Sequence, residues 1–173
     1  MNQRRGILGA LGRIFGRARP TVTAPAPRPE SSAGSSGPYA TVAVAAPRRL
    51  RLRYAPETDG APDAGEIVWT WVPYAENDGR GKDRPVLVIA PAAGERVYAL
   101  RLTGTPREGD PNYVGMGAGP WDSRGRPSWL DLSKVYTVHA LGMRREAAAL
   151  DRARFAKAAA ALRARYGWSL EDS

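Results

Sequence analysis

Hydrophobic and polar residues alternate with a period of two through several stretches of the chain after residue 64. The clearest stretch is 66–73, EIVWTWVP, in which an isoleucine and two tryptophans share one face and two valines and a threonine share the other. This alternation is typical of a β-strand. Similar patterns predict further strands at 85–90, 95–103, 113–116 and 128–139. Short strands separated by turn signals, with no helix between them, predict a small antiparallel barrel.

Two prolines set the bounds of the first two predicted strands. Pro73 ends the first strand, and Pro85 is expected at the very start of the second, because proline has no N–H to donate to a ladder. The segment between them, 74–83 (YAENDGRGKD), contains no apolar run. Its Asn-Asp-Gly and Gly-Lys-Asp sequences favour turns. We therefore expect two strands joined by a charged loop.

The period changes to that of a helix after residue 150. Asp151 is a suitable N-cap, and Gly167 stands where a helix C-cap is expected. The residues between them form one apolar stripe, which consists of Phe155, Ala158, Ala159, Leu162 and Tyr166. Such a stripe predicts a helix at 151–166 that docks against the sheet. The expected fold class is therefore mainly β with a C-terminal α-helix.

The first 63 residues differ in composition from the rest of the chain. Residues 1–19 place apolar residues at helical spacing among arginines, which predicts a basic amphipathic segment able to contact an anionic surface. Residues 20–63 are rich in proline, alanine, serine and glycine, and they are expected to form a disordered linker. Within this linker, 48–54 alternates arginine with leucine, so an edge strand is the alternative there. The predicted domain spans 64–168 and is followed by a tail at 169–173.

The composition removes several classes of site. The chain has 173 residues, no cysteine and one histidine. Disulfides, thiolate zinc sites and cysteine nucleophiles are excluded, and a histidine metal cluster or a serine–histidine triad is disfavoured. We therefore expect no cofactor and no metal. No apolar run approaches the ~20 residues of a membrane-spanning helix, so a cytoplasmic location is expected.

The net charge of +9 is concentrated near the N-terminus. Residues 1–60 hold ten arginines against three acidic residues and carry +7, whereas the rest of the chain carries +2. This distribution suits a nucleic-acid or anionic-surface partner. An arginine-rich proteome would produce the same excess, and both explanations stay open.

Three residues at strand ends are placed to bind an anion. Arg84 directly precedes the strand that is expected to begin at Pro85, on the rim of the charged loop. Arg101 and Thr103 fall on one face of the strand at 95–103, opposite its leucines. A hydroxyl donates one hydrogen bond and a guanidinium up to five, so such residues can bind a phosphate. A solvated polar strand face is the alternative interpretation of the last two residues.

The order of these motifs resembles that of a known protein family. GEIVWTWVP, GKDRPVLVIA, YALRLT and SWLDLSKVYTV, followed by a terminal helix, are similar to the PemK/MazF toxins of type II toxin–antitoxin pairs over about residues 65–168. The resemblance implies an SH3-like barrel with a C-terminal helix. It also implies a homodimeric, metal-independent endoribonuclease that cleaves single-stranded RNA or mRNA at short sequences through attack by the 2′-hydroxyl group. The implied partners are this RNA and a cognate antitoxin.

The resemblance also assigns roles to individual residues. The family's catalytic arginine falls on Arg84, and its catalytic threonine falls on Thr103. The arginine is expected to stabilise the charge that develops on the phosphate, and the threonine to hydrogen-bond one of the phosphate oxygens. The residues expected to bind RNA are Arg80, Lys82, Arg101 and Lys134.

One position departs from the family pattern. Familiar members carry a glutamate in the loop, five residues before the arginine, and Gly79 stands at that position here. Glu76 and Asp78 are the remaining candidates for the general base. A barrel that has lost its activity through the displaced glutamate is the alternative.

Other functions stay open on the same barrel. One is a non-catalytic module that binds nucleic acid or protein, and another is a gyrase poison, which would use C-terminal residues including Trp168. Trp121, Trp129 and Trp168 are candidates for stacking on RNA bases, with a place in the core as the alternative. His139 is expected to be a partly buried structural histidine.

Overall fold

The computed structural model describes residues 37–57, 62–76 and 78–171, and for residues 144–147 it describes the backbone alone. The predicted amphipathic segment at 1–19 and the first part of the predicted linker lie outside these ranges. The division of the chain into segment, linker, domain and tail stays a prediction.

The described residues form a domain of β-strands with a single α-helix, which confirms the predicted fold class. The strands are β1 (Val42–Val44), β2 (Arg51–Leu52), β3 (Glu66–Pro73), β4 (Gly81–Ala92), β5 (Arg96–Thr103), β6 (Tyr113–Gly117), β7 (Ser128–Asp131), β8 (Val135–His139), β9 (Met143–Ala149) and β10 (Ser169–Leu170). Helix α1 spans Arg152–Tyr166. Strand β3 has the predicted bounds, and β5, β6 and α1 each differ from theirs by one residue at one end.

Strand β4 begins four residues earlier than predicted, and the expectation that Pro85 starts it is wrong. The ladder with β3 extends back to Gly81, so the loop is reduced to residues 74–80. At Pro85 the strand pairs with β3 alone, because its pairing with β5 begins only at Val86. A residue without an N–H is therefore tolerated inside this strand.

The stretch 128–139, which was predicted to be one strand, forms the two strands β7 and β8. Between them, Oδ1 of Asp131 accepts hydrogen bonds from the backbone N–H and the hydroxyl of Ser133, at 2.9 and 2.6 Å. These side-chain bonds replace ladder bonds and turn the backbone. The break lets β8 pair with the first half of β5 and β7 with its end.

Four strands, β1, β2, β9 and β10, lie outside the set of predicted strands, and β10 falls within the predicted tail. Strands β1 and β2 fall within the predicted linker, so this part of it is ordered, and β2 confirms the edge-strand alternative for 48–54. Strand β9 follows β8 after a short 3₁₀ turn and pairs with β3 at one end of the sheet. The alanine-rich sequence of β9 has low strand propensity, so its structure depends on this pairing.

The main sheet runs in the order β1-β8-β5-β4-β3-β9, and it is buried on both faces. One face packs against α1 in a large cluster that includes Leu100 and Phe155. The other face encloses a smaller, valine-rich cluster that includes Ala99 of β5. Arg101 and Thr103 lie on the same face of β5 as Ala99, and their side chains become partly accessible to solvent near the end of the strand.

Helix α1 has the two caps that the sequence predicts. The side chain of Asp151 accepts a hydrogen bond from the backbone N–H of Arg154. Gly167 adopts the left-handed conformation at φ 71°, and its N–H bonds to the carbonyl of Arg163. In the part of the chain that the structure describes, no helix combines the length and the apolar character needed to cross a membrane.

After the helix, the chain returns to the beginning of the domain. Trp168 is buried, stacks on Tyr166 and donates its indole N–H to the carbonyl of Pro47 at 2.8 Å. Strand β10 then pairs in parallel with β2. The two ends of the described domain are therefore joined through backbone and side-chain contacts.

Residues 37–44, called the strap below, lie against the valine-rich side of the sheet. Strand β1 pairs with β8, and Oγ1 of Thr41 lies 2.8 Å from Oγ1 of Thr70 on β3. The guanidinium group of Arg96 donates to two strap carbonyls at 2.6 and 3.0 Å. The strap thus connects β8 with β3 across one side of the barrel.

Candidate functional site

The candidate residues meet at one end of the sheet, where β3 ends, β4 begins and β5 ends. The register places Arg84 opposite Thr70 on β3 and places Val86 opposite Arg101 on β5. Arg84 is two residues before Val86 on β4, and Thr103 is two residues after Arg101 on β5. Arg84 and Thr103 therefore take the next position toward this end of the sheet. Because side chains two apart share a face, all three candidates emerge on the valine-rich side.

Arg101 is held by a buried carboxylate. Its Nε and Nη2 atoms lie 2.8 and 2.6 Å from Oδ2 of Asp131, whose side chain has no exposed surface. Burial acts to raise the pKa of Asp131, but the hydrogen bonds from Ser133 and the ion pair with Arg101 outweigh it, so the pKa lies below its ordinary value. Asp131 is therefore ionised, and it both orients Arg101 and balances its charge.

Arg84 is half-buried, and among the described residues its guanidinium has neither an ion-pair nor a hydrogen-bond partner. Burial, and after it the positive charge of Arg101, lower the pKa of Arg84, whereas Tyr74 and Tyr136 act in the opposite direction. An arginine stays protonated under such conditions. A desolvated cation without a counter-ion, beside a second cation, favours the binding of an anion.

Thr103 ends β5 and lies opposite Trp129 on β7. Its Oγ1 accepts the backbone N–H of Thr105 at 3.2 Å, so its own hydroxyl hydrogen can still be donated to a ligand. Thr103 and Trp129 are both half-buried. The sequence offered Trp129 only as one of three stacking candidates, and the register places it beside the threonine.

The loop before β4 does not bring its acidic side chains to Arg84. Asp78 accepts hydrogen bonds from the backbone N–H of Arg80 and, at 2.7 Å, from its Nε atom, and these bonds lower the pKa of Asp78. Glu76 is exposed, and neither acid is among the charges that act on Arg84. Gly79 has φ 83°, a left-handed conformation that gives a local reason for glycine at this position.

The four residues expected to bind RNA are not equivalent. Lys82 is exposed and lies two residues before Arg84 on the same strand, so the two share a face. Lys134 is half-buried and lines a groove of about 300 Å³. Arg101 is paired with the carboxylate of Asp131, as described above. Arg80 is exposed and forms an ion pair with Asp78 in its own loop. The structure thus places Lys82 and Arg101 close to Arg84, puts Lys134 in a groove that Tyr74 and Tyr136 also line, and leaves Arg80 in the loop.

Three residues at the site were not singled out by the sequence analysis. Asp131 is the counter-ion of Arg101, and Tyr74 and Tyr136 line the groove and act electrostatically on Arg84. Tyr136 is almost fully buried, and this burial raises its pKa. The one signal that could have indicated such a residue is the acid inside the otherwise apolar run SWLDL, because a buried carboxylate needs a partner.

Two of the three tryptophans offered for stacking belong to the core. Trp121 and Trp168 are only 3% and 1% exposed, and their indole N–H groups bond to Ser128 and to a backbone carbonyl. The burial of Trp168 contradicts the interpretation in which it contacts a target as in a gyrase poison. His139 is buried and its Nδ1 accepts the N–H of Leu141 at 3.1 Å, which confirms its structural role.

Within residues 37–57, 62–76 and 78–171, no group of three or more His, Cys, Asp or Glu side chains could hold a metal ion. The arrangement can bind and polarise an anion through Arg84, Arg101 and Thr103. Within the described ranges, the two loop acids Glu76 and Asp78 are not among the charges that act on Arg84.

Comparisons with known proteins match the part of the chain that contains this site. A family model described as PemK-like, MazF-like toxin of type II toxin–antitoxin system matches residues 63–165. No curated protein matches the sequence. Among solved structures, an endoribonuclease from a mycobacterial species is 22% identical with a TM-score of 0.45, over 65% of this chain and 97% of the other. The MazE–MazF complex from Deinococcus radiodurans is 23% identical with a TM-score of 0.46, over 62% and 96% of the two chains.

Proposed function

Because the chain belongs to the PemK-like, MazF-like toxins of type II toxin–antitoxin systems, we propose that it is an endoribonuclease that cleaves single-stranded RNA at the Arg84 end of the sheet. Its family membership confirms the resemblance inferred from the sequence. The observation that carries the proposal is the half-buried guanidinium of Arg84, which lacks a counter-ion among the described residues. A phosphate group of the RNA backbone would supply that negative charge.

The proposed reaction uses the RNA's own hydroxyl group and no metal ion. The 2′-oxygen attacks the adjacent phosphorus, and the bond from phosphorus to the 5′-oxygen of the next nucleotide breaks. A base takes the proton of the 2′-hydroxyl, and the departing 5′-oxygen receives a proton, so the products are a 2′,3′-cyclic phosphate and a 5′-hydroxyl. Arg84 and Thr103 donate hydrogen bonds to the non-bridging oxygens, where negative charge grows in the transition state.

Glu76 is the first candidate for the general base. The carboxylate of Asp78 is occupied by Arg80, and its lowered pKa makes it a weaker proton acceptor. Glu76 lies in the same loop and is exposed. Because glycine occupies position 79, where the resemblance leads us to look for a glutamate, RNA binding without cleavage is the second candidate function.

The remaining partners follow from the family. A toxin of a type II system is paired with an antitoxin, and the basic end of the sheet is the surface that we propose this antitoxin covers. We also propose a homodimer and a cytoplasmic location for the toxin. Lys82, Arg101 and Lys134 would add phosphate contacts around Arg84. Sedimentation analysis tests the dimer, and a monomer at micromolar concentration would contradict it.

The proposed reaction is tested on the full chain with RNA in excess chelator. We expect cleavage to fall by about 10²–10³ in Arg84→Ala, by analogy with the loss of one donor to a developing oxyanion. Thr103→Ala should lose about 10- to 100-fold, the value of one hydrogen bond to a charged group. The matched control is Arg124→Ala, which removes an exposed arginine outside the site and should change cleavage less than twofold.

Three outcomes separate the proposals. Cleavage that is equal in all variants, or that stops in chelator, contradicts the proposed reaction. RNA binding that is weakened in Arg84→Ala, in a wild-type protein that does not cut, supports the second candidate function. A cleaving wild type in which Glu76→Gln and not Asp78→Asn loses activity supports Glu76 as the base.

A further inference from the structure

The side chain of Tyr136 lies on the same side of the sheet as the arginine site. Tyr136 pairs with Ala99 on β5 and with Ala43 on β1. Directly paired residues share a face of the sheet, and Ala99 shares its face with Arg101, two residues later on β5. The ring of Tyr136 therefore lies on the valine-rich side, at the position that precedes Arg101 on that face.

The hydroxyl group of Tyr136 is nearly enclosed and has no hydrogen-bond partner. Tyr136 is 2% exposed, and none of the described residues forms a hydrogen bond with its oxygen. Within the described ranges, the indole nitrogen of Trp69 is the one side-chain polar atom that is both fully enclosed and unpaired, so the oxygen of Tyr136 still reaches open space. Tyr136 also lines the groove of about 300 Å³ described above. An unpaired polar atom at such an opening is suited to a ligand.

In the part of the chain that the structure describes, no neighbour accepts the hydrogen of this hydroxyl group. Burial raises the pKa of Tyr136, the positive charges of Arg101 and Arg84 act to lower it, and the negative charge of Asp131 acts to raise it. The pKa lies above its ordinary value, so the phenol is neutral near pH 7 and keeps its hydrogen. The two guanidinium groups are donors only, and the oxygens of Asp131 are bonded to Arg101 and Ser133. The hydrogen of the phenol is therefore available to an oxygen atom that arrives with a ligand.

The proposed cleavage of RNA needs such a hydrogen. The 5′-oxygen that leaves the phosphorus must be protonated, and an arginine stabilises charge without giving up its own proton. We propose that Tyr136 is a catalytic residue that gives its proton to the departing 5′-oxygen. The inference rests on the proposed function, because it assumes that Arg84 binds the phosphate that is cleaved.

The proton transfer and the bond cleavage are balanced in this step. As the bond from phosphorus to the 5′-oxygen breaks, the O–H bond of Tyr136 also breaks, and a 5′-hydroxyl group forms on the RNA. The tyrosinate that results lies near the positive charges of Arg101 and Arg84, which stabilise it. It then regains a proton from water.

The test compares two leaving groups on the full chain in excess chelator. One RNA oligomer has the ordinary linkage at the position where the wild type cuts, and the other has sulfur in place of the 5′-bridging oxygen at that position. A thiol has a pKa of about 8.5, so a departing thiolate needs no proton, whereas a departing alkoxide does. Tyr136→Phe keeps the ring and removes only the hydroxyl group. The matched control is Tyr98→Phe, which removes a hydroxyl group from the other face of β5, where Tyr98 packs against the cluster under α1.

With the ordinary oligomer, we expect Tyr136→Phe to cleave about 10²–10⁴-fold more slowly than the wild type, the usual contribution of a general acid. With the sulfur oligomer, its rate should stay within about twofold of the wild type, because no proton transfer is lost. Arg84→Ala should be slow with both oligomers, since its donors act on the non-bridging oxygens. Tyr98→Phe should match the wild type with both. The urea midpoint of Tyr136→Phe should be unchanged, because the hydroxyl group that is removed has no partner among the described residues.

The outcomes separate this inference from the proposed function. Equal slowing of Tyr136→Phe with both oligomers overturns the proton transfer, because damage to the site would affect both leaving groups. Ordinary cleavage at the wild-type rate in Tyr136→Phe, together with slow cleavage in Arg84→Ala, overturns the inference and leaves the proposed function standing. A selective loss in Tyr74→Phe and not in Tyr136→Phe assigns the proton to the other tyrosine that acts on Arg84, and it overturns the role of Tyr136. A wild type that cleaves neither oligomer overturns both the inference and the proposed cleavage.

Discussion

Replacing Asp131 by asparagine would keep the size of a buried side chain and remove its charge. In the wild type, one carboxylate oxygen contacts two guanidinium nitrogens of Arg101, and the other accepts two hydrogen bonds from Ser133. An amide has a single oxygen that can accept, and its NH₂ group would face donors on the other side. The substitution therefore leaves either Arg101 or Ser133 without its acceptor.

The expected loss can be estimated from the burial of the two partners. Removing one member of a buried ion pair costs about 3–5 kcal/mol, because the remaining charge is left uncompensated. Arg101 is 25% exposed, so water can solvate part of its guanidinium, and the lower end of the range applies. We expect the free energy of unfolding to fall by about 3 kcal/mol. This is a large share of the about 5–15 kcal/mol that stabilises a typical domain.

Urea unfolding followed by tryptophan fluorescence measures this loss as a shift in midpoint at unchanged slope. The matched control is Asp122→Asn. Asp122 also contacts an arginine, Nη2 of Arg126 at 2.9 Å, but that arginine is 58% exposed and the carboxylate keeps 12% of its surface in contact with solvent. A pair with one well-solvated partner contributes about 1 kcal/mol or less, and asparagine still offers an oxygen to the backbone N–H of Arg124, so the control should lose less stability than Asp131→Asn.

Equal midpoints for the two variants would refute the reasoning, because they would show that burial of the Asp131 carboxylate carries no energetic weight. A second readout is independent of stability. In Asp131→Asn the charge of Arg101 is no longer balanced, so RNA binding should become more strongly dependent on salt than in the wild type.

Three further predictions concern pH, the N-cap of the helix and the buried Trp168. The folded-state pKa of Asp131 is lowered from 3.8, so the stability that its charge provides is complete above that value and is lost as the pH falls through the lowered pKa. Urea midpoints measured from pH 6 to pH 3 should therefore decline less in Asp131→Asn than in the wild type. Asp151→Ala should lose about 1 kcal/mol of stability in urea unfolding, because the N-cap acceptor is removed, and an unchanged midpoint would contradict the cap. Trp168→Ala should lose about 3–5 kcal/mol, since a fully buried ring is removed, and a loss below 1 kcal/mol in the same assay would show that the ring does not contribute to the core.

The parts of the fold that the sequence predicts are those with a local signal. Strand β3 carries its own alternation, and α1 carries its own stripe and caps, so both appear close to their predicted bounds. Strand β9 has an alanine-rich sequence and depends on pairing with β3, a partner more than 70 residues away. Such a pairing leaves no trace in a window of a few residues, which is why β9 was missed.

The same distinction applies to the site. Arg84 and Thr103 were found through motifs of contiguous residues, and their catalytic roles stay predictions. Asp131 lies 30 residues from Arg101, and the strap reaches Thr70 from 29 residues away. Neither contact could be read from spacing, because each depends on how the sheet curls. The prediction that β4 starts at Pro85 was wrong for a related reason, because the sequence does not show that β4 pairs with β3 alone at that point.

The parallel pair of β2 and β10 also affects the order in which the protein can fold during translation. Trp168 contacts the carbonyl of a residue 121 positions earlier, so that residue leaves the ribosome long before its partner exists. At about 5–20 residues per second, the interval is roughly 6–24 s. Throughout this time strand β10, the partner of β2, is not yet present to cover Leu52, which is fully buried in the finished domain. A nascent or truncated chain that ends before residue 168 therefore carries the arginine site on a domain that is not yet closed.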